Sequence, residues 1–472
     1  MKVTQFTILI LEFSLMASCS STSNFKIPIL KIKKREFMGE SIVNFRVLTL
    51  VAFHIFIVRH TFAAVEVRVH EIDNVKVHVH GTHRECTLPK NKEDIINCAL
   101  IFHPSIRKGE LKRESFNYLE EKASQIPNPT LSARYVGSED SEEDVSELEA
   151  NLSFSIELGG KRDSRVGFAR AKINEVISSN ESLKAEVKVQ TILNLYRLRQ
   201  VSDEKRLLSE SASAFIRVIG ELKKLPRLSP EQEGSLTLFE IAYEESKIQE
   251  SELFEEEKKL EHFFHVATGH SINEIKSFFP KVLKRWPQLN SAKDDKPSPE
   301  VKRLNSLADL AQNELHVQRS KAWPDLKIGP SINIEKNGAV ENQMIGLNLQ
   351  FPIPFFQVNG GGKALAQSEL SRAKKNISLT KAEESHERFE QLKIYQSAVR
   401  ILESTMGQRE IKAKHNRVAK LYRRGVISSS NFLNSLNQKL SYLKSRNKRE
   451  ITALKALWSV HKYDGKILEE KI

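Results

Sequence analysis

The chain has 472 residues, of which 40% are hydrophobic and 28% are charged, and its formal net charge at pH 7 is +13. This composition is typical of water-soluble domains and excludes a bundle of transmembrane helices. Lys and Arg are interspersed with Glu along helix-like segments, without a nucleic-acid-binding motif, which favours solvated helix faces over a nucleic-acid partner.

Two candidate export signals occupy the N-terminal region. The apolar stretch 5–18 precedes Cys19 in an imperfect lipobox, M-A-S-C, so lipidation of Cys19 is one alternative. A second signal starts at Met38, with V-L-T-L-V-A-F-H-I-F-I-V as its apolar core and T-F-A-A as its cleavage site. That core is too short to cross a bilayer as a helix. We predict an upstream extension and signal peptide in residues 1–64, with Met38 as the start, and export from the cytoplasm.

Residues 65–86 form a histidine-rich segment. Neutral imidazoles on one strand face can bind a cation together, whereas a solvated polar segment can have the same composition. The candidate metal ligands are His70, His78, His80 and His83. Near this segment, Cys86 and Cys98 can form a disulfide in an oxidising compartment, but their spacing does not establish the geometry, so the pairing stays open.

A first structural repeat is predicted in residues 87–322. Short helices at about 89–102 and 105–126 end where two prolines begin an extended segment. A β-hairpin follows at about 130–158, because its apolar and polar residues alternate on both sides of an acidic turn. The alternating apolar residues of its second strand are Leu152, Phe154, Ile156 and Leu158. The acidic turn itself is typical of a solvated loop.

Two long helices continue this repeat over about 161–268. No proline interrupts residues 162–224, where apolar residues recur every three or four positions, the spacing of a coiled coil. These residues include Leu208, Ala212, Phe215, Ile219 and Leu222. The run ends at L-P-R-L-S-P, where Ser229 is a predicted N-cap and Pro230 fits the first turn of the returning helix. A further helix is predicted at about 300–321.

The same order recurs in a second repeat, residues 323–472. A β-hairpin at about 324–356 alternates with period two on both sides of a polar turn. A helical hairpin follows at about 363–465, again without proline. Landmarks of the two repeats lie about 200 residues apart, which indicates an internal duplication. The matched landmarks are Pro129 with Pro324, Gly159 with Gly361, and Pro226 with Gly425.

The four predicted strands need a partner for their apolar faces. Each has roughly eight to ten residues, close to the length that crosses a bilayer with tilt. Strands span lipid only in a closed barrel, and four strands cannot enclose a lumen, so several copies of the chain must contribute. The helices would then extend about 100 Å from the barrel. The soluble alternative, a periplasmic coiled-coil scaffold, leaves the apolar strand faces without a core.

In these features the chain resembles the TolC-like outer membrane efflux protein family. The resemblance covers about residues 87–465 and rests on N-P-T-L-S-A leading to E-L-G-G-K-R, and on W-P-D-L-K-I-G leading to F-P-I-P-F-F and N-G-G-G. E-L-G-G-K-R is particularly similar to the CzcC-type cation-efflux branch. The resemblance implies a mainly α fold with transmembrane β-strands, in which a homotrimer builds a twelve-stranded outer-membrane barrel continuous with a periplasmic α-helical barrel.

The resemblance also implies partners and a contact site. The expected partners are a periplasmic adaptor (membrane fusion) protein, an inner-membrane RND-type pump or ABC exporter, and outer-membrane lipid. The adaptor would contact the two helical-hairpin turns, which comprise Pro226, Leu228 and Ser229 in the first repeat and Arg424, Gly425, Ile427 and Ser428 in the second. Pro226 departs from the glycine at the matching position, and either turn has the simpler interpretation of a helix connection.

No catalytic pattern is present in the sequence. It lacks H-E-x-x-H, a phosphate-binding loop and G-x-S-x-G, and N-G-G-G lacks the Lys-Thr that a nucleotide-binding loop requires. We therefore predict no enzyme activity, no cofactor and an energy source in a partner. The predicted function is a passive duct in a tripartite efflux system, with heavy-metal cations among the candidate substrates. The alternative is the outer-membrane component of a type I protein secretion system.

Overall fold

The computed structural model describes a helical unit that carries one antiparallel sheet. The described residues are Cys86, 89–138, 145–283, 285–291 and 296–471. The two export signals with Cys19, the histidine-rich segment 65–85 and most of the acidic turn lie outside these residues.

Two short helices precede the sheet, α1 (Lys92–Phe102) and α2 (Pro104–Ser124). The side-chain oxygen of Asn91 accepts a hydrogen bond from the backbone N–H of Asp94 at 2.9 Å. This cap explains why α1 begins at Lys92 and not at residue 89. Helix α2 begins with a proline, at a position where the missing N–H would have no partner within the helix.

The four predicted strands are present and form a single sheet. They are β1 (Thr130–Ser138), β2 (Val145–Glu157), β3 (Asp325–Asn337) and β4 (Val340–Gln350). Their order is β1-β2-β3-β4, and every neighbouring pair is antiparallel. The pairing of β2 with β3 joins the two predicted hairpins, a contact that the sequence pattern did not predict.

The register of this sheet places most apolar residues of the four strands on one face. Side chains alternate between faces along a strand, so directly paired residues share a face. Apolar pairs across the three strand interfaces are Leu131–Leu152, Phe154–Ile328 and Ile332–Ile345. Polar pairs such as Arg134–Glu149 and Asn151–Ser331 occupy the other face.

Strands β2 and β3 approach so closely at Gly329 that a side chain there meets backbone. A Cβ at this position would lie 1.8 Å from the carbonyl oxygen of Leu152. We predict that Gly329→Ala destabilises the protein by about 1–3 kcal/mol, because the strands must separate to accommodate the methyl group.

The control for this substitution is Gly346→Ala. Its Cβ would meet the hydroxyl of Ser331 at 3.0 Å, and that side chain can rotate away. Thermal unfolding followed by circular dichroism compares the two variants. Equal melting temperatures for the two variants would contradict the assigned role of Gly329.

Long helices make up most of the remaining described chain. They are α3 (Lys161–Lys223), α4 (Pro230–Thr268), α6 (Pro299–Ser320), α7 (Gly360–Ser404), α8 (Gln408–Arg423) and α9 (Ser429–Tyr463), with the short α5 (Ile272–Ile275) after α4. Helix α3 has 63 residues, which corresponds to a length of about 95 Å. Among the described helices, none combines the length and the apolar character needed to cross a membrane.

The helix after the second hairpin is interrupted, whereas the sequence predicted a continuous run. It breaks between Ser404 and Gln408 because side chains of α9 satisfy backbone carbonyls there. Arg446 Nη1 donates to the Leu402 carbonyl at 3.0 Å, and the Tyr442 hydroxyl donates to the Met406 carbonyl at 2.8 Å. The break therefore depends on tertiary contacts. Gly407, which lies in the break, was not by itself a sufficient signal for a helix end.

The core lies along the seams between the helices. Apolar side chains of α3 and α9, spaced three, four or seven residues apart, contribute to it, and five of them are less than a tenth exposed. These are Leu208, Phe215, Leu436, Leu440 and Leu443. One buried cluster combines residues of α1, α3, α4 and α9, so the two helical hairpins pack into one bundle.

Candidate functional surfaces: the strand sheet and the helical turns

The apolar face of the sheet is exposed in the single chain. On β4, Ile345 is 86% exposed and Leu347 is 70% exposed, and on β1 Leu131 is 72% exposed. Water-soluble monomers rarely expose an apolar patch of this continuity, and such a patch marks a contact with lipid or protein. The sheet therefore requires a partner that covers this face.

The sheet also has two open edges. In the described part of the chain, β1 and β4 each pair with one neighbouring strand only. Unpaired backbone N–H and C=O groups along a flat edge favour pairing with another strand. Together with the exposed apolar face, the open edges show that the sheet is an incomplete element.

A tight turn and an ion pair connect the sheet to the helices. Gly159, with φ of 69°, turns the chain from β2 into α3, and a Cβ there would lie 2.4 Å from the Trp323 ring. Lys161 Nζ forms an ion pair with Asp325 Oδ1 at 2.6 Å. The sequence motifs E-L-G-G-K-R and W-P-D-L-K-I-G thus meet at one place, where they hold the sheet against the ends of the helices.

The two helical turns have closely similar capping. The Ser229 hydroxyl accepts from the Gln232 N–H at 3.2 Å, and Ser428 accepts from the Asn431 N–H at 3.3 Å. Gly425 has φ of 71°, a conformation that favours glycine. Among the other predicted contact residues, Pro226 and Arg424 are exposed, whereas Leu228 and Ile427 are half-buried.

Both turns lie at the same end of the bundle. Phe215, Phe239 and Phe432, from α3, α4 and α9, share one buried cluster, and Ile427 of the second turn packs against it. The Tyr422 and Phe432 rings stack with centroids 4.4 Å apart. A single partner could therefore contact both turns, and the assignment of these turns to an adaptor stays a prediction.

Half-buried and buried charged side chains join three helices inside the bundle. Arg197 of α3 donates to Glu204 Oε1 at 2.9 Å and to Glu256 Oε1 of α4 at 2.7 Å. Burial disfavours its charge, but the hydrogen bonds to these two carboxylates more than offset this and hold the pKa of Arg197 above its ordinary value. Arg199 pairs with Glu450 of α9, 251 residues away, and sequence analysis missed this pair because no local pattern links the two residues.

The two cysteines whose pairing the sequence left open are adjacent in the structure. Cys86 and Cys98 are joined as a disulfide with their Cα atoms 5.8 Å apart. Cys98 lies in α1 and is buried. The four candidate histidine ligands and Cys19 lie outside the described residues, so their predicted roles stay predictions.

A comparison with known sequences finds one curated relative, and no family model matches the chain. The relative is the cobalt-zinc-cadmium resistance protein CzcC of Cupriavidus metallidurans, which is 23% identical over 274 residues. The match covers 55% of this chain and 63% of CzcC. The chain therefore matches somewhat less than two thirds of the length of this relative.

Solved structures share the fold over most of the chain. CusC has a TM-score of 0.59 at 12% identity, with 81% of this chain and 94% of CusC covered. The CmeC outer membrane channel of Campylobacter jejuni has a TM-score of 0.59 at 15% identity, over 79% of this chain and 85% of CmeC. VceC, an outer membrane protein of Vibrio cholerae, has a TM-score of 0.57 at 14% identity, with 79% of this chain and 95% of VceC covered. These matches confirm the predicted TolC-like fold. Together with the match to CzcC, they support the resemblance read from the sequence.

Proposed function

We propose that this chain is an outer-membrane efflux channel, a passive duct through the outer membrane and the periplasm. The observation that carries the proposal is the exposed apolar face of an unclosed sheet. The four strands have 9 to 13 residues, enough to cross a bilayer with tilt. In lipid every backbone group must be paired, so the open edges of β1 and β4 must be closed by other copies.

A homotrimer would close the sheet into a β-barrel. Three copies of the four-stranded sheet would supply twelve strands, with β4 of one copy beside β1 of the next. The likeness in fold to the CmeC outer membrane channel supports this arrangement. In it, the helices would lie in the periplasm and form a tube that continues the barrel.

The proposed duct takes its energy from partners. The helical turns would contact a periplasmic adaptor, which connects the duct to an inner-membrane pump. The name of the relative CzcC supports metal cations as cargo over a secreted protein. The wall of a passive duct needs to be wet and wide enough, and the pump then determines the substrate.

Cell fractionation and a metal-tolerance assay test the proposal. We expect the exported chain in the outer-membrane fraction as a trimer that heat dissociates, and we expect its deletion to lower tolerance to cobalt, zinc or cadmium. A soluble periplasmic chain would contradict the proposal and favour the scaffold alternative. An outer-membrane trimer without any effect on metal tolerance, but required to export a protein, would favour type I secretion.

Charge reversal at the second helical turn should separate docking from assembly. We expect Arg424→Glu to weaken adaptor binding about tenfold, corresponding to about 1.4 kcal/mol, because an exposed interface charge changes sign. Trimers should stay intact, since Arg424 is exposed and does not contribute to the buried core between the helices.

Arg409→Glu is the matched control for this variant, because Arg409 is exposed in the first turn of α8, the helix that ends just before Arg424. Pull-down of the adaptor with each variant, together with export measurements, gives the comparison. Unchanged adaptor binding by Arg424→Glu, or equal losses in both variants, would count against the turn as the docking site.

A further inference from the structure

Three metal-binding side chains meet outside the surfaces described above. One ligand atom each from Cys86, Cys98 and His270 lies within 4.8 Å of the other two. Cys86 precedes α1, Cys98 lies within α1, and His270 follows the end of α4. Cys98 and His270 are 5% and 8% exposed, so this thiol–imidazole cluster is largely shielded from water.

His270 is held in place by its backbone and by a carboxylate. Gly269, with φ of 77°, ends α4, and the His270 N–H donates to the Thr268 hydroxyl at 3.3 Å. The Nδ1 atom of His270 lies 3.5 Å from Glu274 Oε2, which also accepts the Ser271 N–H at 2.7 Å. A carboxylate beside Nδ1 favours the tautomer that leaves Nε2 with a lone pair.

The second nitrogen of His270 is buried without a partner. Within the part of the chain that the structure describes, Nε2 has no hydrogen-bond partner. Buried polar atoms are usually hydrogen-bonded, and one left without a partner costs about 1–3 kcal/mol. A ring nitrogen of His270 lies near the two cysteine sulfurs, and a cation bound among these side chains would satisfy Nε2.

We propose that the thiol–imidazole cluster is a binding site for a zinc-like divalent cation when its cysteines are reduced. Each thiol would lose its proton to water and become a thiolate ligand, and neutral His270 would bind through Nε2. Two sulfurs and one nitrogen are a ligand set that Zn²⁺ accepts, with water as the fourth ligand. Glu274 would orient the imidazole, as outer carboxylates do for metal-bound histidines.

Metal binding and the disulfide exclude each other at this site. In the disulfide, both sulfurs are bonded to one another and carry no thiolate charge. Reduction by a dithiol transfers two electrons and two protons to the cysteine pair and leaves the dithiol as a disulfide. The site therefore binds metal in one redox state only, and either state ties residue 86 to α1.

Cobalt titration of the full chain in detergent tests the proposal. The protein carries Cys19→Ser, so that Cys86 and Cys98 are its only cysteines. It is reduced with a water-soluble phosphine, which takes up the oxygen of water as the disulfide becomes two thiols, and is then titrated with Co²⁺ without oxygen. We expect one Co²⁺ per chain, a thiolate-to-cobalt absorption band, and displacement by Zn²⁺; the oxidised protein should show no band.

Variants separate this site from other metal binding. His270→Ala should weaken Co²⁺ binding at least about tenfold, and Cys98→Ser should lose the two-thiolate spectrum. His262→Ala is the matched control, because His262 is an exposed histidine of α4. The N-terminal histidines produce no thiolate band, so they do not interfere with the readout.

A missing band in the reduced protein would overturn the proposal, and so would unchanged affinity in the His270→Ala variant. Circular dichroism checks that each variant is folded. If His270→Ala fails to fold, His270→Gln preserves more of the side-chain volume while removing the imidazole, and the same loss of affinity is expected. Neither result depends on whether the chain acts as an efflux duct.

Discussion

Replacing Arg388 with Met should lower the free energy of unfolding by about 3–5 kcal/mol, because the change leaves a carboxylate buried without its cation. Arg388 of α7 donates from Nε and Nη2 to the two carboxylate oxygens of Asp464, at 2.6 and 3.1 Å. The two side chains are 6% and 9% exposed. Arg388 also donates to the carbonyls of Asn290 and Ser291, at 3.1 and 3.0 Å, so these acceptors lose a donor as well.

Denaturant unfolding of the purified protein measures this loss. The matched control is Arg372→Met on the same helix, whose side chain is 70% exposed and pairs with Glu369. An exposed ion pair contributes at most about 1 kcal/mol, so the control should change little. The double variant Arg388→Met with Asp464→Leu should recover part of the loss, because it removes the unpaired charge. Equal free energies of unfolding for the Arg388 and Arg372 variants would show that the buried ion pair stabilises the protein no more than the exposed one.

A charged substitution on the apolar face of the sheet should also have a large effect on stability. Leu347→Arg should cost about 2–4 kcal/mol if this face contacts the interior of a bilayer, because the guanidinium loses its hydration there. Leu347 is already 70% exposed in the single chain. In water the same substitution would be nearly neutral, so its effect distinguishes a lipid-facing sheet from a soluble one.

Asn348→Arg is the control for this prediction. Asn348 is the next residue of β4 and therefore points to the opposite face of the sheet. The amount of heat-dissociable trimer in the outer-membrane fraction is compared for both variants. We expect a strong loss for Leu347→Arg and near-normal assembly for Asn348→Arg. Similar amounts of trimer in the two variants would contradict the assignment of the apolar face to lipid.

Local patterns in the sequence were sufficient for most of the elements, although not for the break between α7 and α8. The alternation around Leu347 and Phe154 predicted strands, because period two is encoded in consecutive residues. Ser229 was recognised as a cap for the same reason, since a cap acts within one helical turn. Repetition of these local signals after about 200 residues also revealed the duplication and, with it, the TolC-like fold.

Contacts between distant parts of the chain required the tertiary structure. The pairing of β2 with β3, the Arg388–Asp464 ion pair and the approach of His270 to Cys98 join segments that no sequence period relates. The sequence by itself therefore determined most of the strands, helices and turns, because backbone preference and side-chain periodicity act over a few residues. The tertiary structure alone decided which polar groups are buried together, because burial depends on how the helices pack and not on any single segment.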